Sequence, residues 1–489
     1  MTLLTPRATV EANVRSRGQS PLWTAQQRTL ALEGSVPPRR GFLTFLGLVL
    51  LGYALAGRGF AYVGLPPVFI GEISLLAGLF VLANSTGWAG LWEMPQMLAV
   101  LAFVLLGMAR TAPFISSCKM DALRDAAIYY YSAFAFIVGG LIIANPLRLL
   151  TLLELYRRFV KIFLVGILVV FCVYRFLHYS LPSWPWGGGP MVQEKEGDAM
   201  VHLGGIIAFW MSGLAGPIPI GWSLLLALNA AVMGVIDRAG VVSFGAAMGL
   251  GMAHNPRGRI GWRMIGAIGA AVLLLAVTGL RIEIPGGKGR ELSFDQIVMN
   301  VKSTFGDVGS DGLDSTKEWR KEWWKDIAHD TFGHVIYSQS ARGGGTHASW
   351  SHGRYFWGGK GFGVNLADEY GYQVGDRSLR SPHNGHMTVL ARMGVPGLFL
   401  WALVQATWGL AVLNAYYKSR RAGDTRWSGL FLFLGAYWLA FLINASFDVY
   451  LEGPMGGIWF WSVYGMGVGA LRVYKRRPEI LYQAIGGAH

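Results

Sequence analysis

The sequence predicts an all-α polytopic membrane protein of about twelve transmembrane helices, with a large, partly helical loop between the ninth and tenth. Three observations carry this. Charged residues are 14% of the 489, where a soluble domain carries roughly 25%. The deficit is regional: Phe42–Leu55, Met97–Met108 and Ala270–Leu280 hold no charge at all, and about 20 apolar residues are what a roughly 30 Å hydrocarbon core demands. Basic clusters then recur on alternate connections, as they do when Lys and Arg stay on the cytoplasmic side.

Taken in order, residues 1–40 are polar and carry Arg7, Arg15, Arg17, Arg28, Arg39 and Arg40 without an apolar run. They read as a cytoplasmic tail and not as a signal peptide. The region 41–280 holds candidate spans near 42–57, 62–84, 94–110, 124–145, 158–178, 200–216, 218–236, 239–254 and 260–280. The region 386–473 holds three more, near 387–413, 428–447 and 455–473, and 474–489 is a second cytoplasmic tail. Alternation puts Arg148, Arg157, Arg158, Arg257, Arg259, Arg263, Lys418, Arg420, Arg421, Arg426, Lys475, Arg476 and Arg477 inside, and the acidic run Glu194–Asp198 outside. One topology satisfies every cluster. The net charge of +14 is therefore used for orientation, and nucleic acid is excluded as a partner. Cys172 falls inside a predicted span and Cys118 near a membrane face, so no disulfide is expected, and no Cys/His metal spacing occurs.

The loop 281–385 falls outside. Loops this long are uncommon without a function. It holds His329, His334, His347, His352 and His383, at spacings that match no metal site. A helix is expected over Glu318–Phe332, where Trp319, Trp323 and Ile327 recur at i+4, and its Trp content predicts that it lies on the membrane surface. Gly358–Gly363 reads as a turn, since no P-loop Lys-Ser/Thr follows. Glu72, inside the second span, should face the bundle and pair with an interior arginine. Asp121, Arg124 and Asp125 read as caps and local ion pairs, with Arg124 a further candidate for an anion site.

Three outward-facing features remain as candidate chemistry. The segment Arg380–Leu398, RSPHNGHMTVLARMGVPGL, returns the loop to the membrane, with Gly394 and Gly397 expected to admit a neighbouring helix. Asp237-Arg238 stands at the outer end of the seventh span, and Arg320 precedes Trp324 by one helical turn, so its guanidinium can lie along that indole.

His383-Asn384, nine residues, then Gly394-Val395-Pro396-Gly397 resembles the signature of the O-antigen ligase and O-antigen polymerase superfamily. Arg238 resembles the arginine that members carry near the outer end of an earlier helix. Arg320 and Trp324, followed by Gly361-Phe362-Gly363-Val364-Asn365, resemble the loop pattern of that family, and the helix-and-loop architecture is similar too. Two positions depart: Asp237 stands where the family usually has a hydroxyl, and Arg392 where it often has Glu.

The resemblance implies a bacterial cytoplasmic (inner) membrane enzyme, with its active site on the periplasmic side. Such an enzyme moves a glycan from an undecaprenyl diphosphate carrier to an acceptor hydroxyl without metal or other cofactor. It implies His383 as general base, Asn384 orienting it or the acceptor, and Arg238 and Arg320 on the diphosphate, with Trp324, Arg392 and Arg124 in support. The chemistry is coherent. A diphosphate leaving group needs its charge stabilised, which arginine does bidentately, and no Asp-x-Asp is present to hold Mg²⁺. A ligase (acceptor lipid A-core) is preferred to a repeat-unit polymerase. The rival from another class is a transporter of lipid-linked glycan, which should show repeated halves and charge at the midplane. A receptor or scaffold leaves the motif spacing unexplained.

Overall fold

The computed structural model describes residues 41–483 apart from 187–188, 286–290, 306–310, 340–345 and 374–378; the tail 1–40 lies outside the described residues. Helices dominate, and the described sheet consists of three two-stranded antiparallel hairpins. The main helices are α1 (Gly41–Ala56), α2 (Ile70–Ala83), α3 (Pro95–Thr111), α4 (Ala133–Ala144), α5 (Leu147–Leu177), α6 (Glu196–Met211) and α7 (Ile220–Ile236). After them come α8 (Arg238–His254), α9 (Arg259–Thr278), the loop helices α10 (Phe294–Phe305) and α11 (Asp311–Phe332), then α12 (Gly385–Arg421), α13 (Thr425–Ala445) and α14 (Pro454–Arg476). Among the described residues six helical stretches are long and apolar enough to cross a membrane: Pro95–Cys118, Ala127–Ala144, Leu147–Leu177, Arg259–Thr278, Gly385–Arg421 and Thr425–Ala445. The protein is an all-α membrane protein.

The centre of the bundle is α6, buried on every side from Ala199 to Met211, which is why its sequence is apolar all round. Small residues let its neighbours in: a Cβ on Gly205 would stand 2.7 Å from the Tyr437 ring of α13. Within this core His202 bridges two tyrosines, Nδ1 to Tyr437 at 2.6 Å and Nε2 to Tyr450 at 3.2 Å. At the end away from the loop, Arg157 donates to the Leu214 carbonyl at 2.6 Å and Arg472 meets Glu93 at 2.6 Å.

Several expectations need correction. The second window opens with a hairpin, Gly64–Leu65 against Val68–Phe69, before α2 begins. The fourth is broken into Met120–Asp125, Ala127–Tyr130 and α4, and the fifth starts at Leu147, giving a 31-residue helix. Glu72 finds tyrosines and not an arginine: Tyr131 donates at 2.8 Å and Tyr130 at 3.2 Å. Helix α11 does not lie on the membrane surface through its tryptophans. Trp323 is fully buried, stacked on Tyr372 at 5.0 Å, and packs with Ile327 against Leu390 and Ala391 of α12.

The break in α12 fixes the geometry of the site. Gly394 has φ 68°, outside helical values, and Pro396 follows; both interrupt the helical ladder. The gap is filled by chain from the loop: Lys360 N–H donates to the Ala391 carbonyl at 2.7 Å, Gly361 N–H to Arg392 at 3.0 Å, and Val395 N–H to Phe356 at 2.8 Å. A Cβ on Gly394 would lie 2.4 Å from the Phe356 carbonyl oxygen. The close neighbour that Gly394 admits is therefore this loop segment and not another helix, while Gly397 faces Met393 of its own helix. The Gly358–Gly363 run is a turn, with Gly359, Gly361 and Gly363 all at positive φ.

Candidate functional site

His383 sits in the last step before α12, in the left-handed backbone region at φ 51°. A non-glycine residue there costs on the order of 1–3 kcal/mol, so the surrounding structure must hold it. Asn384 supplies part of that hold as the N-cap of α12, accepting from His386 N–H at 3.0 Å and Met387 N–H at 3.1 Å. Its side-chain oxygen is thus occupied by the cap. Trp324 Nε1 donates to the Pro382 carbonyl at 2.8 Å and fixes the residue before the histidine. Trp319 packs edge-to-face on the imidazole at 6.0 Å.

The imidazole faces Asp448, in the connection between α13 and α14, with Nδ1 3.4 Å from Oδ1. Val449 N–H donates to that same oxygen at 2.8 Å, and Lys195 Nζ bonds Oδ2 at 2.5 Å. Burial would raise the Asp448 carboxyl, but the Lys195 ammonium and the His383 imidazole overcome it and hold it below the ordinary carboxylate range. With Asp448 ionised, the favoured imidazole tautomer carries its proton on Nδ1. That leaves Nε2 as an acceptor, and it makes no hydrogen bond among the described residues. Arg320, one turn along α11 from Trp324, donates to the Phe447 carbonyl at 3.1 Å, beside Asp448. Its guanidinium lies over Trp319 at 5.6 Å and not along Trp324 as expected. Its Nε is buried without a hydrogen-bond partner among the described residues.

Other expected residues fall elsewhere. Asp237 caps α8, accepting from Gly240 N–H at 2.6 Å, and its charge acts on both Asp448 and Arg320. Arg238 instead lines an apolar cavity of about 180 Å³ with Phe244, Leu275, Leu292, Ile297 and Asn300. Arg392 is 2% exposed and held by Asp125 at 2.9 Å and the carbonyls of Gly361 and Val364. Asp125 also takes Arg380 at 3.0 Å and Gly363 N–H at 3.1 Å. That network fastens the loop to α12, so Arg392 does not point into the His383 site. Arg124 is exposed on the adjacent short helix.

Three residues at the site went unrecognised in the sequence: Asp448, Lys195 and Glu194. Glu194 is 4% exposed and neither carboxyl oxygen has a hydrogen-bond partner among the described residues. Burial, then the charges of Glu196 and Asp198, push its carboxyl well above the ordinary range. The one signal available for Asp448 and Lys195 was their place on outer connections of the predicted topology. No protein-family model matches the chain, and no curated protein is similar to it in sequence.

Proposed function

We propose that this protein is a metal-independent glycosyltransferase of the O-antigen ligase type. On this reading, twelve helices cross the bacterial inner membrane and the site opens on the periplasmic side. The enzyme transfers a glycan from undecaprenyl diphosphate to an acceptor hydroxyl, lipid A-core in the ligase form. One observation carries the reading: a strained, half-buried histidine oriented by an ionised aspartate, with an incompletely bonded arginine alongside. His383 Nε2 takes the acceptor proton as the hydroxyl attacks the sugar carbon that leaves the diphosphate. General-base help of this kind is typically worth about 10²–10⁴-fold. Arg320, anchored beside Asp448 by the Phe447 carbonyl, stabilises the charge of the departing diphosphate. Arg238 meets the lipid end of the donor in its apolar cavity. A repeat-unit polymerase would use the same groups with a carrier-linked acceptor.

A transporter draws support from the broken helix α12, since discontinuous helices commonly line transport sites. The break is filled by the segment Tyr355–Gly363 rather than open to a cavity, which favours the enzyme. The test is reconstitution in nanodiscs with undecaprenyl-diphosphate glycan and lipid A-core. Release of undecaprenyl diphosphate, undiminished by EDTA, is expected; no release in the presence of both substrates overturns the proposal.

A further inference from the structure

The two bonds that Asp448 makes to side chains are unequal. Lys195 Nζ stands at 2.5 Å, while His383 Nδ1 stands at 3.4 Å, well beyond the roughly 2.7–2.9 Å of a strong charge-assisted bond. The carboxylate is 17% exposed, whereas the Lys195 side chain is 48% exposed and so reachable from the outer face. Lys195 precedes α6 in extended backbone. Its flexible four-carbon stem carries a compact ammonium that can reposition when a stronger anion competes.

Other charged groups surround this pair: Glu194 is buried with neither oxygen bonded among the described residues, and the carboxylates of Asp198 and Asp237 also attract the Lys195 ammonium. Asp198 accepts from Asn444 at 3.3 Å, Asp237 from Gly240 N–H at 2.6 Å, and Glu196 is paired with Arg175. Glu452 accepts from Thr388 at 2.8 Å, and Arg320 is bonded to the Phe447 carbonyl. Tyr450, on the same connection, hydrogen-bonds His202. Of these carboxylates only Asp448 is shared between a lysine and the histidine.

We propose that Lys195 is a donor-sensing positioning residue: its ammonium draws Asp448 away from His383 until an anionic diphosphate attracts it, whereupon Asp448 turns to the imidazole. This rests on the glycosyltransferase reading for its purpose, because it raises the basicity of His383 only when donor is bound. An idle base beside water then gains its full strength at the moment the leaving group is in place. A carboxylate brought into contact with an imidazole favours the protonated form, typically by about 1–3 pKa units.

The experiment follows the titration midpoint of His383 by NMR in histidine-labelled protein, the resonance assigned by its loss in His383→Gln. Lys195→Met is expected to raise the midpoint by about one unit, and Lys195→Arg to leave it within a few tenths. Removing a positive charge also acts directly on the imidazole, so the same change is repeated in Asp448→Asn, where the shift should fall below about a third; the difference isolates the shared carboxylate. Separately, Lys195→Met should weaken binding of inorganic pyrophosphate by about tenfold. An unmoved midpoint, an equal shift with and without Asp448, or unchanged pyrophosphate affinity overturns the proposal. If Lys195→Met does not purify as a monodisperse protein, Lys195→Gln takes its place. No readout depends on glycosyl transfer, so an absence of transfer would sink the enzymatic reading and leave this one to its own result.

Discussion

Two carboxylates tie the loop to the helical bundle, and they are built to opposite specifications. Asp125 gathers three donors on one oxygen: Arg380, Arg392 and Gly363 N–H all reach Oδ2 within 3.1 Å, and both flanking structures are held by it. Asp448 is divided: one oxygen is close to a lysine, the other meets a backbone N–H and stands 3.4 Å from a histidine in strained backbone. A buried carboxylate clamped between two arginines and a backbone N–H gives a fastening. A pair that leaves one donor short and one ring nitrogen open leaves something for a substrate to complete. Both lie on the loop side of the bundle, and what separates them is the partner: two arginines at Asp125, a lysine and a histidine in strained backbone at Asp448.

The sharpest break in this comparison is His383→Ala. Transfer should fall by about 10²–10⁴-fold while the protein purifies as before. The check is undecaprenyl diphosphate released in nanodiscs beside a thermal melt of the same sample. Should more than about a tenth of the activity survive, the divided cluster is not the centre of the chemistry. Asp125→Ala should do the reverse. It strands Arg392, 2% exposed, and removal of one partner from a buried ion pair typically costs about 3–5 kcal/mol. A large loss of melting temperature in detergent is expected; an unchanged melt would mean that the loop is fastened elsewhere.

These two corners also show how far the sequence could be read. Helices such as α3, α9 and α13 announce themselves, because an uncharged run of this length has few other fates in water or lipid. His383 was visible for a local reason, since motif, cap and helix start are consecutive. Asp448 was not, because its role depends on a partner 65 residues away and on the turn that carries it. Arg392 looks available in sequence, while the carboxylate that neutralises it, Asp125, is 267 residues away and the carbonyls that complete its bonds come from the loop. Trp319 and Trp324 exchanged roles through one helical turn of rotation, which spacing alone does not set. The tilt of α11 on α12 is decided by the burial of Trp323 against Tyr372.

A smaller effect is expected at the cap. Asn384→Ala frees the N–H groups of His386 and Met387, and loss of such a cap costs about 0.5–2 kcal/mol. Because the cap sits next to the strained histidine, activity should fall further than stability does. Asn384→Ser or Asn384→Asp should restore both, since either side chain can accept the same bonds. If Asn384→Ser melts normally and remains inactive, the amide acts on the acceptor as well as on the helix.

The gentlest test concerns pH, and it compares the two carboxyls beside Lys195. Asp448 has a folded-state pKa below its unfolded value of about 3.9. Its contribution to stability is therefore present above that value and lost only as pH falls through the lower folded one, so it is constant between about pH 5 and 8. Asp448 therefore supplies no activity limb in that window. Glu194 runs the other way: its raised folded-state pKa means stability fully present below about pH 4.3 and lost as pH rises through the folded value. Glu194→Gln keeps the neutral shape at every pH. It should flatten the decline in melting temperature expected of the unmodified protein above about pH 5, by on the order of 1.4 kcal/mol for each unit of pKa elevation. Equal slopes for the two proteins would mean that Glu194 ionises in the fold at its ordinary pKa. The isolation of its two oxygens from any donor would then have to be relieved by a rearrangement around Lys195.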